Sequence, residues 1–120
     1  NIAAVSEAMT LAVKNGADPK LVYEAIRGGL AGSNVLDAKI GKMLEHEFQP
    51  GFRTELHIKD LTNALNAAHV TSTALPLTSQ VMEIMQSLKA EGKEKEDHSA
   101  ILRYYEKISN TSLKNETSES

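Results

Sequence analysis

The 120-residue chain sets 13 Lys and Arg against 16 Asp and Glu for a formal net charge of -3, with 41% hydrophobic, 24% charged and 4% aromatic residues. That balance offers no broad positive field to nucleic acid or to an anionic membrane, so neither is an expected partner. No apolar run approaches a bilayer span, no signal peptide is visible, and zero cysteines exclude a disulfide framework and thiolate chemistry, a combination that points to the cytoplasm.

Ile2, Val5, Met9 and Val13 recur at helical spacing from the first residues, with Ala3, Ala4, Ala8 and Ala12 beside them. No capping signal precedes this pattern, so the first helix is expected to begin further upstream, in a longer parent chain. Gly16 sits where a C-terminal cap belongs. Asp18 followed by Pro19 reads as an N-cap and first helical position for a second helix, closed by Gly28 and Gly29. The small-residue run GGLAGSN, residues 28–34, follows a helix rather than a strand and lacks the Lys-Ser/Thr ending of a phosphate loop. It reads as a tight interhelical corner in which glycines let backbones approach.

Ser33 can cap a third helix whose apolar side is Leu36, Ile40, Met43 and Leu44. HEFQPGF is a loop with Pro50 and Gly51 as its turn signal. A fourth helix is expected over about residues 54–69. Pro76 is expected to break the chain, with a fifth helix starting at Thr78 or Ser79 and ending at Gly92. Asp97 or Ser99 opens a last helix through Ile101, Leu102, Tyr105 and Ile108. The whole reads as an all-α multi-helix bundle over residues 1–109, with the polar residues 110–120 as a disordered tail.

Among chemistry-bearing residues, His46, His57, His69 and His98 have no i, i+4 partner at metal-ligand spacing, and no metal is expected. Lys59 and Asp60 are the best candidates, lying about 100° apart on the fourth helix. Glu55 stands four residues before Lys59 in the favourable order. An ordinary surface ion pair contributing a few tenths of a kcal/mol is therefore the competing reading for that lysine. The chain holds no glycine-rich strand-to-helix turn and no recognisable nucleophile.

Four stretches, in order and at matching spacing, change the weighing: NIAAVSEAMTLAVKNGADPKLVYEAIRGGLAGSNVLDAK, F-x-PGFR-x-x-LHIKDL-x-NAL, LPLTSQVMEIMQSL and DHSAILRYYEKI. Together they resemble the β-hydroxyacid dehydrogenase family up to about Ser109, and within it the members that reduce 2-hydroxy-3-oxopropanoate more than those that oxidise 3-hydroxyisobutyrate. The resemblance implies the C-terminal helical domain of the 6-phosphogluconate dehydrogenase-like type, beginning inside an interdomain helix. An NAD- or NADP-binding Rossmann domain and a catalytic lysine about three turns upstream of Asn1 would lie outside this chain, which alone would be inactive. It also implies that Lys59 contributes to the cofactor site and that Phe52 closes the cleft against nicotinamide and substrate. Asp60 would lie near the substrate and the upstream lysine, with Gly32 and Ser33 facing the same cleft. Asn66 stands where the family commonly has an acid, which removes a charge there. The implied partners are a small aldehyde acid, the Rossmann domain and further copies in a dimer or tetramer. A purely helical oligomerisation module is the alternative that composition and periodicity alone leave open.

Overall fold

The computed structural model describes residues 1–114 and contains six α-helices with one 3-10 turn; no strand occurs among the described residues. The helices are α1 (Ile2–Lys14), α2 (Pro19–Ile26), α3 (Asn34–Glu45), α4 (Thr54–Val70), α5 (Pro76–Ala90) and α6 (Leu102–Ser109), with the 3-10 turn at His98–Ile101 leading into α6. The all-α expectation therefore holds.

Local signals set most boundaries. The Asp18 side chain accepts from the Lys20 amide at 2.9 Å and Pro19 takes the first position of α2, where its missing N–H costs nothing. Ser33 Oγ accepts from the Leu36 amide at 2.9 Å to open α3. Gly16, at φ +82°, reverses the chain after α1 while the Ala17 amide donates to Ala12 O at 2.9 Å, and Gly92, at φ +77°, does the same after α5. The expected break at Pro76 is corrected: Pro76 is the first residue of α5 rather than an interruption before it, because a proline at that position loses only an amide that has no helical partner.

Two apolar clusters form the interior. Met9, Leu36, Ile40, Met43, Phe48, Leu102 and Leu113 build the first, on the α1–α3 side. Ile2, Ile58, Met82, Met85, Leu88, Ile101 and Tyr105 build the second, where the α4–α5 hairpin packs on α1 and α6. The 3-10 turn joins them, since Ala100 and Leu102 enter one and Ile101 the other. On α1, Ser6 and Thr10 are also buried, and their hydroxyls donate to the carbonyls of Ile2 and Ser6 at 2.8 and 2.7 Å, so no polar atom is stranded there.

Residues 110–114 depart from the expected tail. Asn110 takes a left-handed conformation, φ 51°, which turns the chain back so that Leu113 enters the first cluster with 4% exposure. Its amide donates to Glu106 Oε2 at 2.7 Å, and the same carboxylate oxygen lies 2.8 Å from His46 Nε2. Residues 115–120, the rest of the tail expectation, lie outside the described residues. Leu113→Ala should destabilise the fold by about 2–5 kcal/mol, measured by denaturant unfolding, because it removes a core side chain rather than a tail residue.

Candidate functional site

The loop of residues 46–53 has no helix or strand to absorb its backbone amides, and one side chain takes that role. Asp97, fully buried, receives five donors. Its Oδ1 accepts from Lys39 Nζ at 3.0 Å and from the amides of Gly51 and Phe52 at 2.9 Å each. Its Oδ2 accepts from the Ser99 amide at 3.1 Å and the Ser99 hydroxyl at 2.5 Å. Backbone bonds extend the clamp: Asp97 N to Phe48 O at 2.9 Å, His98 N to Phe52 O at 2.7 Å and Thr54 N to Glu96 O at 2.8 Å. Burial alone would raise the Asp97 carboxyl pKa, but the Ser99, Phe52 and Lys39 bonds outweigh it and hold the group well below the usual carboxylate range. A buried carboxylate with that many donors stays ionised at neutral pH.

The clamp presents Phe52 and starts α4 at a fixed place. The ring of Phe52 meets His57, one turn into α4, edge-on at a centroid distance of 6.1 Å, and meets His98 at 5.3 Å. The two imidazoles stand 5.5 Å apart at 80° to one another. Burial lowers the pKa of both; the neighbouring carboxylates, Asp60 for His57 and Asp97 for His98, act in the opposite direction without reversing it. Neither imidazole makes a hydrogen bond among the described residues, and His98 Nδ1 is buried without a partner.

Lys59 and Asp60 follow on the exposed side of α4. The surface-pair reading of Lys59 does not hold: Glu55 turns instead to Lys95 Nζ at 2.8 Å and Arg53 Nε at 3.5 Å. Lys59 has no ion-pair partner among the described residues. Phe52, Lys59 and Asp60 thus belong to one region, the loop and first turns of α4. Gly32 and Ser33 belong to the α2–α3 corner. A Cβ on Gly32 would stand 2.2 Å from Arg27 O, so only glycine fits there, and the Ser33 hydroxyl is engaged in capping α3. Two residues on, Val35 packs against the cluster that holds Ile2 and Ile58.

Three residues of this region carry no local signal of the place they take. Asp97 was visible only as a cap, and its reach to Lys39 and Gly51 spans 58 and 46 residues. In sequence, His57 and His98 suggest only metal ligation. Among the described residues no group of three or more His, Asp or Glu is placed to hold a metal ion. The signal available for Asp97 was the loop itself, whose amides need acceptors once the loop packs.

Comparison with known proteins places these features in context. The family described as NAD-binding of NADP-dependent 3-hydroxyisobutyrate dehydrogenase matches residues 1–105. The 2-hydroxy-3-oxopropionate reductase of Escherichia coli is 41% identical over 113 residues, covering 94% of this chain and 39% of that protein. The 2-(hydroxymethyl)glutarate dehydrogenase of Eubacterium barkeri is 32% identical over 114 residues, covering 94% of this chain and 38% of that protein. In three dimensions the crystal structure of 3-hydroxyisobutyrate dehydrogenase from Salmonella typhimurium superposes with a TM-score of 0.81 at 26% identity, covering 86% of this chain and 36% of the other. The chain thus spans less than two fifths of the length of the curated relatives it matches.

Two outcomes are expected. Asp97→Ala should cost about 3–5 kcal/mol in denaturant unfolding, since it leaves the Lys39 ammonium and two loop amides without their acceptor. In an NMR titration, His57 and His98 should each show a midpoint below the ordinary value of 6.5. Because their folded values are depressed, their contribution to stability is complete above the unfolded value and falls as pH drops below it.

Proposed function

The chain belongs to the NAD-binding domain family of NADP-dependent 3-hydroxyisobutyrate dehydrogenase, and from that membership we propose that the complete protein is an NAD(P)H-dependent reductase of a small aldehyde acid, converting 2-hydroxy-3-oxopropanoate to glycerate. The observation that carries this reading is Lys59. Its ammonium is exposed and unclaimed by Glu55, one short step along α4 from a clamped aromatic loop. A nicotinamide dinucleotide, when bound, supplies the hydride for the aldehyde carbon. An exposed ammonium with no ion-pair partner among the described residues, on a helix that an aromatic loop opens, suits such a molecule, which carries phosphates, hydroxyls and a flat nicotinamide.

In this reading Lys59 holds the cofactor as a point charge and donor. Phe52, fixed from behind by Asp97, excludes water from the reacting carbon. Asp60 faces the lysine expected on the upstream helix and keeps it charged and oriented, so that it can polarise the carbonyl and deliver the proton. Gly32 and Ser33 contribute backbone to the rim of the same cleft, with the serine hydroxyl kept for its cap. Leu11 and Ile108, 65% and 63% exposed, together with Val70 and Leu77 near the α4–α5 turn, supply apolar surface for contacts with the dinucleotide-binding half or with further copies. Similarity to the Escherichia coli reductase supports the 2-hydroxy substrate. The likeness to the Salmonella typhimurium structure favours a second reading, a 3-hydroxyisobutyrate dehydrogenase acting on the 2-methyl analogue.

The test follows NAD(P)H oxidation by the complete protein on addition of 2-hydroxy-3-oxopropanoate. Turnover is expected, with Lys59→Met raising the cofactor KM roughly 10- to 100-fold, the loss expected for one charge-assisted bond. Residues 1–120 alone should show no turnover. An inactive complete protein contradicts the reductase reading, and activity of the isolated chain contradicts the assignment of the chemistry to an upstream lysine.

A further inference from the structure

Two half-buried histidines without a single hydrogen bond between them are unusual, because polar groups removed from water are normally satisfied. His46 in the same chain shows the ordinary solution, with Nε2 2.8 Å from the Glu106 carboxylate. His57 and His98 instead lean on one another and on the edge of Phe52, at 5.5, 6.1 and 5.3 Å. Ring packing uses their faces and edges but leaves their polar atoms unanswered.

The arrangement restricts which polar atoms these are. His98 Nδ1 is sealed from solvent with no partner. A buried lone pair is tolerated better than a buried N–H, so the proton belongs on Nε2 and that atom is a donor. The His98 amide donates to Phe52 O at 2.7 Å, which fixes the backbone from which the ring packs on Phe52 and His57. Burial keeps both rings neutral near pH 7. A neutral imidazole pair offers donors and acceptors without net charge, which suits a hydroxyl and does not suit a carboxylate or a methyl group.

Position completes the argument. Ile2 and Ile58 share one apolar cluster and the Phe52 ring meets both imidazoles, so the pair lies at the base of α4, near the start of α1. Under the reductase reading, on which this inference rests, that is the region where the upstream helix brings the reacting carbonyl. The two candidate substrates, 2-hydroxy-3-oxopropanoate and 2-methyl-3-oxopropanoate, differ at one group on C2, a hydroxyl against a methyl.

We propose that His57 and His98 form the wall of the substrate site that selects a C2 hydroxyl over a C2 methyl. The hydroxyl accepts from His98 Nε2 and donates to the unprotonated nitrogen of His57. The methyl analogue gives neither nitrogen a partner, and sites built to bond a hydroxyl discriminate strongly against an analogue lacking it.

The experiment compares kcat/KM of the complete protein for the two aldehyde acids. His98→Phe and His57→Phe keep the ring packing and remove the polar atoms, and each should lower the hydroxy-to-methyl ratio about tenfold or more. His98→Gln, which keeps a donor near the Nε2 position, should restore most of the ratio. Independently of turnover, 15N NMR should find His98 as the neutral Nε2–H tautomer at pH 7. An unchanged ratio in both Phe variants, or equal loss of both substrates, overturns the proposal while leaving the reductase reading intact. A charged or Nδ1-protonated His98 also overturns it. A wild-type protein that reduces neither acid removes the reductase reading, and the selection proposal falls with it.

Discussion

The Asp97 carboxylate is the constraint on which the rest of this domain depends. A single buried side chain accepts from α3 through Lys39, from the 46–53 loop through Gly51 and Phe52, and from its own turn through Ser99. Three segments distant in sequence are therefore fixed to one point. Burying a lone charge is costly, and only the full set of donors makes it favourable. Partial assembly of this site would be worse than none, so the clamp forms as a unit. The 3-10 turn that carries Asp97 also feeds Ala100, Ile101 and Leu102 into both apolar clusters, which couples the clamp to the packing of the whole bundle.

Function in this account is built on the rigid side of that clamp. Phe52 is displayed by a loop whose Gly51 and Phe52 amides are already satisfied, and α4 begins immediately afterwards, so His57, Lys59 and Asp60 inherit a fixed origin. Glu55 contributes by what it does not do: engaged with Lys95 and Arg53, it leaves the Lys59 ammonium available. Lys59 is left without an ion-pair partner, and the His57 and His98 imidazoles without a hydrogen bond, among the described residues.

What could be read from sequence divides by range. Helix starts at Asp18 and Ser33 and the reversals at Gly16 and Gly92 are decided by bonds within a few residues, and local residue chemistry announces them. The α4 segment was also readable, as was the candidacy of Lys59, Asp60 and Phe52, because their motifs are contiguous. Contacts over long separations were not. Nothing near Asp97 reveals that Lys39 will meet it, nothing near Glu55 reveals Lys95, and Leu113 in a polar stretch gives no sign that Asn110 will turn it into the core. Pro76 shows a different failure, since a proline reads equally as a break or as a beginning until the helix that follows is seen.

The central claim, that one carboxylate holds the 46–53 loop, is tested most directly by amide hydrogen exchange at Gly51 and Phe52. Both amides lie outside any helix or strand and donate to Asp97 Oδ1. The account predicts that they exchange slowly, with protection approaching that of core amides in α3 and α6, because they open only when the clamp does. Exchange at the rate of an unprotected surface loop, in a chain whose helices remain protected, would contradict it.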